Sequence, residues 1–264
     1  MSAALPPVAL SLIGIGTGNP DHLTREAQAA MQAADLILLP HKGEDKAELA
    51  ALRRDLCDAV LTAPGPRIEG FDMPVRRSVG DDYLAQVDEW HAAITRCWQA
   101  AITRSMANGL APRTAGQPLQ VALLVWGDPA LYDSTLRILG LVRERGVALR
   151  LQVIPGISSV QALAARHQVP LNRIGEPLTV LPGRRLAGQG QIDNVLVMLD
   201  GQCAFARLDD PALMIYWGAY LGTADEVLIA GPLQAVKAQI MEVRERERAR
   251  KGWIMDSYLL RREL

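Results

Sequence analysis

Three apolar segments of this chain each end in a turn built from glycine or proline, ahead of a predicted helix. The segments 8–15, 119–126 and 149–154 lead into the turns 14–20, 127–129 and 155–156. Glycine lets the backbone bend sharply or approach a ligand closely, and ligands of open α/β sheets bind outside the carboxyl ends of the strands. Any one turn is also typical of an ordinary strand–helix connection. The three together predict a shared ligand-binding rim.

Strand-like runs and helical patterns alternate along the 264 residues, which predicts an α/β fold with mainly parallel sheets. The length allows one large or two modest domains. We expect an N-terminal α/β domain at 1–170, closed by a helix at 158–167, and a C-terminal α/β domain at 171–264. The predicted strands lie at 8–15, 35–40, 119–126, 149–154, 178–181, 195–199, 213–217 and 227–229, and the predicted helices at 23–34, 81–101, 158–167 and 234–250.

Charge and cysteine content exclude several classes of protein. The 28 basic and 29 acidic residues give a net charge of −1, without the basic excess typical of nucleic-acid-binding proteins. No apolar run approaches the roughly 20 residues of a membrane span, and residues 1–20 lack the positive charge of a secretory signal. Cys57, Cys97 and Cys203 are odd in number and form no CxxC pair. We therefore expect a cytoplasmic protein with reduced cysteines and no metal site.

The first glycine turn does not match the pattern of a dinucleotide-binding fold. The GxGxxG pattern requires glycine at position 19, where this chain has Asn19. An acidic residue is also expected at the carboxyl end of the second strand, but Asp35 lies at the opposite end, ahead of Leu36–Leu39. A nicotinamide-dependent dehydrogenase is therefore disfavoured, as is the common Rossmann-type methyltransferase.

Three motifs of this chain, in matching order and spacing, resemble those of the tetrapyrrole methylases. They are IGIGTGNPDHLT at 13–24, GDPALYDST at 127–135 and PGISS at 155–159, and the similarity runs nearly end to end. The family often has GxGPGDP in the first motif, where this chain has Thr17 and Asn19. Thr17 can form a hydrogen bond where proline cannot.

The resemblance implies two α/β domains with S-adenosylmethionine (SAM) bound in the cleft between them. Matching the family motifs residue by residue gives the cofactor-binding candidates Thr17, Gly127, Asp128, Pro129, Leu131, Tyr132, Ser158, Ser159, Met198, Gly218, Ala219, Gly231 and Pro232. Each of three candidates also has a structural interpretation. Asp128 is a possible cap of its own loop, Met198 a core residue, and Gly218 a turn residue.

Two further segments, HKGEDKA at 41–47 and KGWIMDSY at 251–258, resemble the deacetylating members of this family in cobalamin biosynthesis. This likeness implies methylation of precorrin-5 at C-1 with release of acetate, to give precorrin-6A. Acetate release requires water activated by a general base. Asp21, His22, Tyr132 and Asp133 flank the expected cleft, with Asp21 and Tyr132 as the catalytic candidates, and the sequence does not choose among them.

A tetrapyrrole of this class carries many carboxylates, and guanidinium groups suit carboxylates through paired hydrogen bonds. Arginine pairs occur at 53–54, 76–77, 184–185 and 261–262. Surface solvation is the alternative for each pair. We favour Arg184 and Arg185 because they follow a predicted strand of the second domain.

Other functions remain open at this stage. The chain is also compatible with a tetrapyrrole methylase acting on uroporphyrinogen, RNA or protein, and with a non-catalytic SAM-binding protein. The resemblance is compatible with a homodimer.

Overall fold

The computed structural model describes residues 7–41, 47–74, 83–144 and 149–262. Contacts divide the chain into two compact units, Met1–Gly156 and Ile157–Leu264, so the division falls earlier than the boundary expected after residue 170. Most of the segment 41–47 and the arginine pair 76–77 lie outside the described residues.

The first unit is built around a five-stranded sheet in the order β3-β2-β4-β1-β5, and all its strand pairs are parallel. Its described elements are β1 (Val8–Gly14), α1 (Arg25–Ala33), β2 (Leu36–His41), α2 (Ala47–Val60), β3 (Arg67–Asp72), α3 (Tyr83–Ala107), β4 (Leu119–Val125), α4 (Thr135–Glu144) and β5 (Leu149–Ile154).

Helices cover both faces of this sheet, which explains the continuous apolar runs in its inner strands. Alternate strand residues such as Leu12 and Leu123 pack with Trp98 of α3 in one core. The intervening residues, including Ile13, pack with Met31 of α1 in a second core. The register is parallel and in step, with Leu12 opposite Leu123. The carboxyl ends of β1, β4 and β5 therefore lie at the same edge of the sheet.

The second unit also contains a five-stranded sheet, in the order β6-β7-β10-β8-β9. Its described elements are α5 (Ser159–His167), β6 (Thr179–Pro182), β7 (Val195–Met198), β8 (Leu213–Ala219), β9 (Val227–Pro232), α6 (Leu233–Lys251) and β10 (Asp256–Arg262). Only β6 and β7 pair in parallel, and the three other pairs are antiparallel. The expectation of mainly parallel sheets was therefore wrong for this unit, because β10 inserts in the opposite direction between β7 and β8, and β9 runs opposite to β8.

Helix α5 belongs to the second unit, although the sequence placed it at the end of the first domain. The helix contacts β8 and β10, and its Val160 and Leu163 are buried. Its start is fixed by a capping box in which Ser158 and Gln161 satisfy each other's backbone N–H groups. The turn at Pro155–Gly156 thus connects the two units.

A buried polar network stabilises the second sheet. Tyr258 of β10 donates a hydrogen bond to Asp200 (2.6 Å), and burial beside this carboxylate raises the pKa of Tyr258. Arg244 of α6 forms an ion pair with Asp256 (2.9 Å), which also accepts a hydrogen bond from the Trp217 indole (3.0 Å). Since buried charges are tolerated only when paired and hydrogen-bonded, this network ties α6 to β8 and β10.

Among the described helices, none is both long and apolar enough to cross a membrane.

Candidate functional site

The three glycine-containing turns meet at the carboxyl edge of the first sheet, as the sequence predicted. Gly16, after β1, and Gly127, after β4, exchange two backbone hydrogen bonds of 3.2 and 2.7 Å. Gly127 has a φ of 65°, which glycine adopts without steric cost. The turns after β1 and β4 are therefore joined main chain to main chain.

Asp128 links the second turn to the third. One carboxylate oxygen, Oδ2, accepts a hydrogen bond from the backbone N–H of Gly156 (2.9 Å). The other, Oδ1, accepts from the N–H of Ala130 (2.8 Å). The carboxylate thus has the structural role that the sequence left open, and it holds the loop in a fixed conformation.

Close packing of backbone explains why glycine occupies two further positions. A Cβ on Gly156 would lie 2.2 Å from the carbonyl oxygen of Gly127, and one on Gly14 would lie 2.6 Å from the amide nitrogen of Gly156. These neighbours are main-chain atoms, which have no rotamer to change. The three turns form one rigid rim of backbone, called here the glycine rim and defined by Gly14, Gly16, Gly127 and Gly156.

The first turn continues into a 3₁₀ segment, Pro20–His22. Asn19, where the family often has aspartate, caps this segment by accepting a hydrogen bond from the N–H of Asp21 (2.9 Å). The hydroxyl of Thr17 lies 2.8 Å from Nδ1 of His22. Thr17 therefore forms the hydrogen bond that proline could not, but with a neighbouring side chain. Asp21 is exposed to solvent.

The turn after β4 leads to Tyr132 and Asp133. Tyr132 has a φ of 53°, and 44% of its surface is exposed. Residues other than glycine in this left-handed region are uncommon and cluster at functional sites. Asp133 is exposed, and its Oδ1 accepts a hydrogen bond from the N–H of Thr135 at the start of α4 (2.7 Å). Pro129 is buried under the loop.

In the second unit, several predicted residues meet around Ser257, a residue that the sequence did not single out. Ser257 of β10 lies opposite Met198 on β7 and opposite Gly218 on β8. Its hydroxyl is 3.1 Å from that of Ser159. Ala219 directly follows Gly218 at the end of β8. These residues therefore form one cluster on the second sheet.

Next to this cluster, Leu199 follows β7 with a φ of 53° and a side chain that is 61% exposed. An exposed leucine in a left-handed backbone conformation is a second signal of a functional surface. Only coordinates reveal it, because φ cannot be read from an apolar run.

Three of the predicted residues have other surroundings. Gly231 and Pro232 lie opposite Ile215 and Met214, toward the start of β8, whereas Gly218 lies toward its end. The structure thus places them away from the Ser257 cluster along the strand. The hydroxyl of Ser158 is engaged with the backbone of Val160 and the side chain of Gln161 in the helix cap.

The arginine pairs differ in their contacts. Arg184 and Arg185 are exposed on a 3₁₀ segment after β6, and neither forms an ion pair with any described residue. Arg261 donates hydrogen bonds to Asn194 and to backbone carbonyls, and Arg262 pairs with Asp210. The pair at 261–262 therefore has a structural role, and the pair at 184–185 keeps its guanidinium groups available.

A cavity of about 280 Å³ lies beside the glycine rim in the first unit. Sequence reasoning missed it, although it weighed the arginine pair at 53–54. The side chain of Arg53 lines the cavity and is 5% exposed. Its guanidinium carbon lies 4.8 Å from the ring centre of Trp126, the residue before Gly127. The tryptophan directly before the Gly127 turn was the feature of the sequence that could have indicated this cavity.

The comparisons with known proteins agree with this fold. The family model described as "Tetrapyrrole (Corrin/Porphyrin) Methylases" matches residues 9–237. A curated relative from Sinorhizobium sp, "Precorrin-6A synthase [deacetylating]", is 47% identical over 95% of this chain and 94% of its own length.

Solved structures show the same architecture. A putative cobalamin synthesis related protein (CobF) from Corynebacterium diphtheriae is 36% identical, with a TM-score of 0.78 over 97% of this chain and 99% of its own. A uroporphyrin-III C-methyltransferase from Thermus thermophilus, complexed with S-adenosyl homocysteine, superposes with a TM-score of 0.53 at 19% identity over 95% of this chain and 91% of its own. At that identity the likeness shows the fold alone.

Proposed function

Since this chain belongs to the tetrapyrrole methylase family and is therefore a methyltransferase, we propose that it methylates precorrin-5 at C-1. SAM is the methyl donor, acetate is released, and the product is precorrin-6A of cobalamin biosynthesis. The observation that carries the proposal is the 47% identity, over nearly the full length of both chains, to the deacetylating precorrin-6A synthase.

The glycine rim fits the cofactor. Among the described residues, the backbone N–H groups of Thr17 and Asp128 have no hydrogen-bond partner, so they remain available to a carboxylate. Glycines keep the rim free of side chains, and exposed Tyr132 supplies an apolar face beside it. We assign the cofactor contacts in this unit to Thr17, Gly127, Asp128, Pro129, Leu131 and Tyr132.

In the second unit, we assign cofactor contacts first to the Ser257 cluster, with Ser159, Met198, Gly218 and Ala219. The hydroxyl pair of Ser159 and Ser257 can both donate and accept hydrogen bonds. Met198 offers a polarisable surface for an aromatic ring. Ser158, Gly231 and Pro232 have the weaker support, because the helix cap occupies the Ser158 hydroxyl and the other two lie further along the strand.

Methyl transfer requires no covalent intermediate with the protein. Bound SAM supplies a methyl group on a sulfonium that is already a good leaving group. The methyl group would pass to the substrate carbon, and the departing sulfur would keep the electron pair of the broken bond. The chain's own contribution is to position and align the reactants, which can lower a barrier by about 7–11 kcal/mol. A rim held by Asp128 and by main-chain hydrogen bonds has the rigidity that this requires.

Acetate release needs a group that activates water toward the substrate's acetyl carbonyl. Asp21 and Tyr132 are our candidates for this role. Asp133 caps α4, and the ring of His22 is hydrogen-bonded to Thr17. The Asp21 carboxylate is exposed and forms no ion pair with a described residue, so it is free to hold a water molecule.

The proposal is tested by incubating the purified chain with methyl-labelled SAM and authentic precorrin-5. We expect one labelled methyl group in the product and one equivalent of free acetate per methyl transferred. An Asp21→Asn variant should slow acetate release more than methyl transfer. Methyl transfer without acetate would refute the deacetylating reaction. Methylation of uroporphyrinogen III but not precorrin-5 would assign the chain to another activity in the family.

A further inference from the structure

The cavity beside the glycine rim combines apolar walls with one buried positive charge. Its walls come from the carboxyl ends of β2, β3 and β4 and from α3, and include Phe71, Trp90, Ile94 and Trp98. Tyr132 and Asp133, which are both exposed, also line it, so the cavity reaches the protein surface. It therefore opens next to the loop that we assign to the cofactor.

The buried charge is the guanidinium of Arg53. Its only protein hydrogen bond among the described residues is from Nη1 to the carbonyl oxygen of Leu49 (3.2 Å), one turn back along α2. Its Nε is buried and has no hydrogen-bond partner among the described atoms. No carboxylate of a described residue lies within ion-pair distance. A buried, incompletely hydrogen-bonded cation is costly, and the part of the chain that the structure describes supplies no anionic partner for it.

Trp126 and Asp133 make the charge tolerable without neutralising it. The guanidinium carbon lies 4.8 Å from the centre of the Trp126 ring, and the negative face of the ring attracts the cation. Burial lowers the pKa of Arg53 to about 10, and the more distant Asp133 partly opposes this. The side chain is therefore still protonated at neutral pH and presents a full positive charge to the cavity.

We propose that this cavity binds a short-chain carboxylate, with the Arg53 guanidinium as its anchor and the aromatic walls around its alkyl carbons. Guanidinium suits this ligand because its planar N–H groups match a carboxylate in a two-point contact. The apolar walls favour an alkyl carboxylate over a strongly hydrated anion such as phosphate or sulfate.

Size also selects a short ligand. A volume of about 280 Å³ lies below the roughly 300–1,000 Å³ of pockets that enclose drug-sized molecules, so an entire tetrapyrrole does not fit. One acetate or propionate group does. On the proposed function, this group is either a side chain of the tetrapyrrole or the acetate product. These two sources of the carboxylate rest on the proposed function, whereas the proposal that the cavity binds a carboxylate does not.

The first test uses acetate and propionate as probes on the full chain without cofactor. Three of the five tryptophans, Trp90, Trp98 and Trp126, line the cavity, so intrinsic fluorescence reports its occupancy. We expect a saturable change with acetate at constant ionic strength, and none with neutral acetamide or with sulfate.

Variants of the neighbouring residues Arg53 and Arg54 show whether the fluorescence change with acetate depends on the Arg53 guanidinium. Arg53→Met should weaken acetate binding by about tenfold or more, since charge-assisted hydrogen bonds are lost. Arg53→Lys should recover part of the affinity. Arg54→Met is the matched control, because Arg54 is its neighbour but is exposed, and it should bind acetate like the unchanged chain. Replacing a buried, unpaired charge by methionine should not unfold the protein, and circular dichroism and a melting curve check this.

A second measurement distinguishes the two sources of the carboxylate. If a substrate side chain occupies the cavity, Arg53→Met raises the Kd for precorrin-5 about tenfold and leaves that for S-adenosylhomocysteine unchanged. If the acetate product occupies it, Arg53→Met leaves precorrin-5 binding unchanged and removes product inhibition by acetate. Acetate binding that survives in Arg53→Met, or that is absent from the unchanged chain, overturns the proposal. Because the acetate titration needs no turnover, it stands even if methyl transfer from SAM to precorrin-5 fails.

Discussion

Replacing Gly156 by alanine tests whether the glycine rim is held by backbone packing. The new Cβ would lie 2.2 Å from the carbonyl oxygen of Gly127 and 2.9 Å from Cα of Gly14, whereas ordinary contact begins at 3.4 Å. The φ of Gly156 is not positive, so strain arises from crowding alone. To relieve it, the turn after β5 must move away from the turn after β4 by more than 1 Å.

That movement has a cost that the structure allows us to estimate. Overpacking a rigid site costs about 1–3 kcal/mol. Stretching the hydrogen bond from the Gly156 N–H to the Asp128 carboxylate (2.9 Å) forfeits part of the 1.5–3 kcal/mol that a hydrogen bond to a charged group contributes. We expect Gly156→Ala to lower the free energy of unfolding by about 3 kcal/mol, which corresponds to a fall in Tm of roughly 6–12 °C for a unit of this size.

Urea unfolding and calorimetry of the full chain measure this loss, and titration with S-adenosylhomocysteine measures its effect on the proposed site. Gly140→Ala is the matched control, because a Cβ there meets nothing within 4 Å and alanine favours a helix by up to about 1 kcal/mol. The reasoning is refuted if Gly156→Ala unfolds within 1 kcal/mol of the unchanged chain and binds S-adenosylhomocysteine equally well.

Three other perturbations address the site and the second unit. Gly127→Val should weaken S-adenosylhomocysteine binding at least tenfold, as measured by calorimetry. Gly109→Val is the control, because Gly109 also has a positive φ but has open space around it. This control introduces backbone strain without entering the proposed site, so it should leave S-adenosylhomocysteine binding unchanged. The double change Arg184→Ala and Arg185→Ala should raise the KM for precorrin-5 in steady-state assays with SAM affinity unchanged, and an unchanged KM would place the carboxylate contacts elsewhere. Burial lowers the pKa of His167, so the unfolded state binds protons more readily, and the free energy of unfolding should fall as pH drops below about 6.5. Urea titrations at pH 7 and pH 5.5 measure this decrease in the free energy of unfolding. The decrease should be smaller in His167→Gln than in the unchanged chain.

The elements that the sequence predicted best are those covered on both sides. The inner strands β1, β2 and β4 lie within one residue of their expected bounds, because helices on both faces demand unbroken apolar runs. Strand β3 was missed. Its sequence, RIEGFD, is mostly polar and half-buried at the edge of the sheet, so it carries no such run.

The order of strands in the second sheet could not be predicted from local sequence patterns. Strand β10, DSYLLRR, pairs with β7 and β8, and its position depends on contacts distant in sequence. For the same reason Ser257 was not expected at the centre of a cluster. The sequence also left the role of Asp128 open, because a loop carboxylate that caps and one that binds a ligand have the same local pattern. Only the 2.9 Å contact with Gly156 separates them.

The central place of β10 also bears on how the protein is made. Without it, the second sheet consists of two separate strand pairs, β6–β7 and β8–β9, and isolated two-stranded pieces are marginally stable in water. A ribosome adding about 5–20 residues per second leaves β7 with an open edge for several seconds before β10 emerges. We expect nascent chains halted before residue 256 to expose these edges to aggregation and to chaperones.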